Sequence, residues 1–404
     1  MEPFKNLLNA GLVRGAATHL RRAEPRFDAD GFVRHATRGL DALEMKARAM
    51  QIADALERTL PEPFDAAAAV LEAALAPVEA PMEAPGDADA EAADTAAGLT
   101  LSEGATDRDK TVTTATSVLD AGLKGWILWP VGEFIARRGL HEPGRALQAL
   151  HALTQRFTAE FAIRPFIAAH PNFVFATLER WTADPSAHVR RLVSEGSRPR
   201  LPWGLQLKAL VADPSPTLPL LRALQDDASE YVRRSVANHL NDIAKDHPHL
   251  VAEWVERHLA DAPPARRALL RHASRTLIKQ GDARILAAWG QGARLRGEAT
   301  LVVKPARIAL GGAVTLTLTL RSTSTKPQAL AIDYVVHHVK ADGRTSPKVF
   351  KGWQLTLAPR ETRTLVKRHA VRPITTRTYY AGKHRVVVQV NGQAAAEGVF
   401  QLRV

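Results

Sequence analysis

The chain contains no cysteine. Disulfides, thiolate nucleophiles and Cys-based zinc or iron–sulfur sites are thereby excluded. Long apolar runs are also missing: no stretch approaches the roughly 20 residues a membrane span needs. The first ten residues lack a basic region leading into an apolar core, so they do not read as a secretory signal. A cytoplasmic address and no membrane partner are expected. None of the 15 histidines forms a His-x-x-x-His pair. His247 and His249 flank a proline without a third ligand nearby, so no metal is expected. Gly311-Gly312 sits between strands and reads as a turn, not a phosphate loop. No Gly-x-Ser-x-Gly elbow is present. Nucleotide hydrolysis and serine hydrolysis are disfavoured, and no cofactor is expected.

What is present is length and charge. The 404 residues suffice for two or three domains. There are 54 Lys and Arg against 42 Asp and Glu, a formal net of +12. The mean hides an asymmetry. Residues 61–109 hold twelve acids and one base, Arg108, leaving about +23 on the rest. Such a surplus is the footprint of a nucleic-acid binder, and equally of a basic protein with scattered charges.

Residues 1–60 read as helices, with apolar residues at three- and four-residue spacing. Residues 61–110 form an Ala/Pro/Glu/Asp-rich insertion or linker, with a short helix possible at 64–75. From 111 to 296 helix follows helix, with short Asp, Pro and Gly breaks. Two segments carry Val-Arg-Arg 43 residues apart, at Val189 and Val232. Each follows Asp and Ser residues suited to an N-cap, and residues 265–273 look like a degenerate third copy. Periods near 40 with paired helices indicate a HEAT-like solenoid. In the second segment Arg234, Asn238, Asp242 and Lys245 share one face, while Val232, Val236, Leu240 and Ile243 take the buried side. From 297 to 404 the texture changes to about seven short alternating strands, with Asn391-Gly392 as a hairpin turn. That pattern predicts an immunoglobulin-like β-sandwich, with Tyr380 suggesting a tyrosine corner. The fold class is therefore an all-α HEAT-like repeat solenoid followed by an all-β sandwich.

These residues carry a resemblance. Trp126 through Phe134, Phe157 through Ile167, Val189 through Trp203, the second arginine helix through Asp242, and Pro373 through Tyr380 resemble the AlkC branch of the HEAT-like-repeat DNA alkylation repair glycosylases. The resemblance covers most of the chain, and the acidic segment departs from it. It implies removal of N3-alkylated purines from duplex DNA, without metal or nucleotide cofactor, by a nucleoid-associated monomer.

The residues fit that chemistry on their own terms. Alkylation at N3 makes adenine cationic and a good leaving group, and glycosidic cleavage passes through an oxocarbenium-like sugar. The site needs negative charge near the developing cation, an aromatic face and a positioned water. Glu160, Glu195 and Asp242 supply carboxylates on groove-facing helices, and Trp203, on a proline-rich break, supplies the ring. The resemblance points to the same four as catalytic. Arg164, Arg190, Arg191, Arg198, Arg200, Arg233, Arg234, Asn238 and Lys245 are the expected DNA-binding set. Plainer readings stand beside these. Glu195 has Arg191 at i−4 and Glu160 has Arg164 at i+4, common surface pairs. Asp242 has no basic residue at i±4, and Trp203 could be a core plug. A non-catalytic binder of damaged or branched DNA and a helical-repeat protein scaffold remain as alternatives.

Overall fold

The computed structural model of the chain describes residues 4–78, 121–290, 293–373 and 377–404, in two compact units, 1–246 and 247–404. The first unit is helical. Its α-helices begin with α1 (Ala10–Ala23), α2 (Ala29–Thr37), α3 (Met45–Thr59) and α4 (Phe64–Ala74). They continue with α5 (Leu128–Arg138), α6 (Pro143–Thr154), α7 (Arg164–Ala169) and α8 (Pro171–Trp181). Then come α9 (Ala187–Gly196), α10 (Lys208–Ala212), α11 (Leu218–Leu224) and α12 (Glu230–Ile243). Neighbours stack as α1 on α2, α2 on α3, α3 on α5 and α9 on α12, the arrangement of a HEAT-like repeat. Apolar stripes drive it. Helix α3 alone buries Met45, Ala49, Ile52, Ala53 and Leu56, and each large side chain buried contributes about 1.5–3 kcal/mol.

The expected insertion at 61–110 starts too early. Helix α4 buries Phe64, Ala67, Ala68, Val70 and Leu71 and packs on α1 and α6, so it belongs to the stack. Its alanines are strong helix formers, which offsets their acidic neighbours. The break comes after it. Ala76 N donates to Leu123 O at 3.1 Å and Leu123 N to Ala74 O at 2.8 Å. Gly122, at φ +139°, lets the two chains approach: a Cβ there would lie 2.5 Å from Ala76 N. The acidic stretch from 79 to 120 lies outside the described residues.

The two Val-Arg-Arg segments are structural copies. Ser186 and Ser229 occupy the N-cap positions of α9 and α12 but do not cap through their side chains. The aspartates two residues earlier do the work instead: Asp184 accepts from Ser186 N and Asp227 from Ser229 N, both at 2.8 Å. Arg190 then donates to the carbonyls of Asp184 and Pro185, and Arg233 to those of Asp227 and Ala228. Arg190 also forks onto the Asp227 carboxylate at 2.6 and 3.0 Å.

The second unit begins at His247, ahead of the expected boundary at 297. Its helices are α13 (Pro248–Leu259), α14 (Pro264–Ala273), α15 (Arg275–Gln280) and α16 (Ala283–Ala288). They pack with the strands: Gly281 meets the backbone of Gly392 so closely that a Cβ there would lie 2.9 Å from it. The expected boundary at 297 falls within this unit, between α16 and the first strand. The strands are β1 (Gly297–Lys304), β2 (Arg307–Ala309), β3 (Ala313–Ser322), β4 (Gln328–Val339), β5 (Thr345–Leu357), β6 (Thr362–Ala370), β7 (Gly382–Val390) and β8 (Gln393–Arg403). They form sheets β1-β3-β6 and β2-β8-β7-β4-β5. Among the described strands of these sheets, β2 against β8 is the parallel pair. Alternation places Val314, Leu316, Leu318 and Leu320 of β3 in a core with Val336, Val386, Val388 and Phe400. Asn391 and Gly392, at φ +50° and +78°, close the two-residue β7–β8 hairpin, as left-handed turn positions require. The tyrosine-corner expectation fails: Tyr380 is 38% exposed, whereas such a tyrosine must be buried against the backbone.

Candidate active site

Helix α12 grips the last turn of α9 with three polar residues at i, i+4 and i+7. Ser235 Oγ donates to Glu195 Oε2 at 2.6 Å. His239 Nδ1 meets the carbonyl of Ser194 at 2.9 Å. Asp242 reaches Glu195 through Arg198, whose Nε lies 2.9 Å from Asp242 Oδ2 and whose Nη1 lies 2.5 Å from Glu195 Oε1. Lys245 closes the array on Asp242 Oδ1 at 2.8 Å. Glu195 and Asp242 are each 1% exposed.

Glu160 joins from the turn before α7. Its Oε2 lies 3.1 Å from Arg191 Nη1, which also donates to Thr158 Oγ1. Arg191 Nη2 lies 3.8 Å from Glu195 Oε1, and the guanidinium sits 4.9 Å over the Tyr231 ring. The three expected carboxylates thus share one buried network, threaded by Arg191 and Arg198.

Trp203 takes the opposite role to a core plug. It is 46% exposed, at φ +63°, on the loop between α9 and α10. That strained backbone is held from beneath by Arg164, fully buried, which donates to the carbonyls of Gly196 at 2.9 Å and Leu205 at 2.5 Å. Gly196 is required at the turn, because a Cβ would lie 2.6 Å from Ile163 Cγ2.

The environment separates the acids. Burial pushes the Glu195 carboxyl up, but Arg198, Arg191 and the Ser235 hydroxyl outweigh it and hold it at about 2. Burial pushes the Glu160 carboxyl up and the Glu195 charge adds to this, against the pull of Arg191. Burial lowers His239 to about 4, so at neutral pH it is an uncharged ring. Arg198→Ala would leave two buried carboxylates short of a partner. It should lower unfolding free energy by about 3–5 kcal/mol, read as a reduced denaturant midpoint; an unchanged midpoint would mean the array relaxes without it.

The residues of the expected DNA-binding set lie in different environments. Arg164, Arg191 and Arg198 are buried and fully engaged, because they neutralise carboxylates or satisfy loop carbonyls. Asn238 is also buried. Arg190 and Arg233 are committed to the turns before α9 and α12. Arg200 forks onto Asp246 at 2.6 and 2.8 Å. Arg234 is half-buried, and Lys245, with a side chain 44% exposed, remains at the surface. Of the plainer carboxylate readings, the Glu195–Arg191 pair is present, though inside the protein; Glu160 pairs with Arg191 and not with Arg164, and Asp242 is buried between its cations at i+3 and on the loop after α9. Ser235, His239 and Thr158 were not singled out from sequence, although the i, i+4, i+7 spacing of Ser235, His239 and Asp242 carried the signal.

Among the described residues, no group of three or more His, Asp or Glu could hold a metal ion. No described helix is long and apolar enough to cross a membrane. Residues 157–277 match a family model described as DNA alkylation repair enzyme, and residues 298–404 one described as the C-terminal Ig-like domain of YhaZ. The Bacillus subtilis protein YhaZ is 39% identical over 286 residues, 70% of this chain and 77% of YhaZ. Similar in structure is the Pseudomonas fluorescens alkylpurine DNA glycosylase AlkC, solved with DNA containing an abasic site analog. It superimposes with a TM-score of 0.82 at 33% identity over 100% of both chains.

Proposed function

Since the chain belongs to the AlkC and YhaZ family of DNA alkylation repair enzymes, we propose that it is a monofunctional DNA glycosylase acting on cationic N3-alkylated bases, 3-methyladenine type, in duplex DNA. The observation that carries this reading is the convergence of Glu160, Glu195 and Asp242 in one array near the loop that presents Trp203. A preorganised anion set favours a sugar that becomes cationic as the bond breaks. The exposed indole offers a face to the cationic base.

The roles divide by environment. Both oxygens of Glu195 are occupied and its pKa lies near 2, so it acts as a fixed charge. Glu160, pushed upward, is the better proton acceptor for an attacking water. Water oxygen bonds to C1′, the glycosidic electron pair leaves with the base, which becomes neutral, and the water proton passes to Glu160. Lys245 is the exposed cation of the array, so a DNA phosphate can draw it from Asp242 and leave that carboxylate facing the lesion. The test is release of free 3-methyladenine from methylated duplex by the full chain. Binding of the duplex without base release would favour a non-catalytic binder.

A further inference from the structure

We propose that the cleft between α1 and α2 is a second phosphate-binding site, which takes backbone phosphates of the duplex on which the carboxylate array acts. The inference rests on the DNA-repair reading above. The cleft has a volume of about 760 Å³ and is lined by Arg14, Arg21, Arg22 and Arg34, with Asp30 the one acid. On α1, Arg14, Thr18, Arg21 and Arg22 recur at i, i+4, i+7 and i+8, which sets them on one side of the helix. Leu12, Val13, Ala16 and Leu20 are buried, so this side is left to solvent. Arg34 comes from α2.

Two features suit this cluster to an anion. First, Arg14, Arg22 and Arg34 have no carboxylate partner among the described residues, whereas Arg190, Arg191, Arg198 and Arg200 each hold one. Second, one guanidinium is already fixed: Arg21 donates Nε and Nη2 to the carbonyl of Phe27 at 3.2 and 3.1 Å. Like charges gathered in one cleft repel, and an anion removes the repulsion. Small side chains, Ala17, Ala29 and Val33, line the cleft between the arginines. No lining residue is aromatic or glycine, so nothing there would stack a base or cradle a lone phosphate in backbone amides. What fits is a polymer backbone read through its charge. The cleft lies at the α1/α2 end of the stack, with α3 and α5 following it, so it would engage DNA away from the lesion.

The experiment titrates the full chain with undamaged duplex DNA at several salt concentrations. It compares wild type, a variant carrying R14A, R22A and R34A together, and the corresponding triple lysine variant. At about 0.9 in log–log slope per phosphate contact, the alanine variant should lose roughly 2–3 in slope and about tenfold or more in affinity. The lysine variant should retain the wild-type slope. A wild-type slope in the alanine variant overturns the site. So does calorimetric binding of inorganic phosphate that is lost in the alanine variant while its DNA slope is unchanged, since the occupant is then a free anion. A wild type that binds duplex but releases no base defeats the glycosylase reading; the alanine variant's slope still decides the cleft.

Discussion

Glu195→Gln is expected to slow base release by about 10²–10³-fold while duplex affinity stays near wild type, because loss of one preorganised electrostatic group costs that much in rate. The amide has the shape of the carboxylate and leaves Arg198 its bond to Asp242 and Arg191 its bond to Glu160. The fold should therefore survive. What disappears is the anion that remains charged down to about pH 2. Asp242→Asn should act in the same direction. Single-turnover base release and a parallel binding titration check both, and a wild-type rate in either variant would remove that residue from the mechanism.

The second large effect is acid instability of the β-sandwich. Its interior holds His338, His369 and His384, all under 9% exposed. Among the described residues, neither ring nitrogen of His338 has a hydrogen-bond partner, nor does Nδ1 of His384. The rings pack edge-on: His338 lies 5.5 Å from Tyr379 and 5.4 Å from His384. Burial, then the charges of Arg377 and the other histidines, lowers His338 to about 3. Burial, then His384, lowers His369 to about 4. For a base whose folded pKa is depressed, the unfolded chain binds more protons, so stability rises with pH. The contribution is complete above about 6.5 and is lost as pH falls toward the folded values. At about 1.4 kcal/mol per pH unit per group, His338 and His369 together lose on the order of 5 kcal/mol by pH 4.5. That is comparable to the whole stability of many domains. Amide exchange in β3 and β7, corrected for intrinsic rates, should show protection collapsing between pH 6.5 and 4.5. Replacing His338 and His369 with Phe should flatten the dependence; equal losses in variant and wild type would place the acid sensitivity elsewhere.

The elements were legible in the sequence because they obey local rules. Three- and four-residue spacing marks α3 and α12, strict alternation marks β3, and Asn391-Gly392 marks a hairpin. The carboxylates were legible as residue types on helices. Their surroundings were not, because a sequence shows an arginine's charge but not its direction. Arg198 lies beyond the end of α9, and only the turn of the chain there brings it between Glu195 and Asp242. Arg164 bonds to carbonyls 32 and 41 residues further along, a distance no periodicity encodes. The exposure of Trp203 follows from a left-handed backbone that a non-glycine residue rarely adopts.

The forked contact of Arg190 with Asp227 makes the stack directional. Helical repeats usually meet through apolar faces, which tolerate some rotation of one repeat on the next. A planar guanidinium bound to two carbonyls of its own turn and two oxygens of the following one tolerates little. The N-terminal ends of α9 and α12 are thus keyed to each other at one angle and one spacing. At the opposite ends Arg198 bridges Glu195 and Asp242, and there the chain departs from its 43-residue register with the proline-rich excursion that bears Trp203. Both rims of this helix pair are thus fixed, so the loop that bears Trp203 rides on helices whose pitch is set without it.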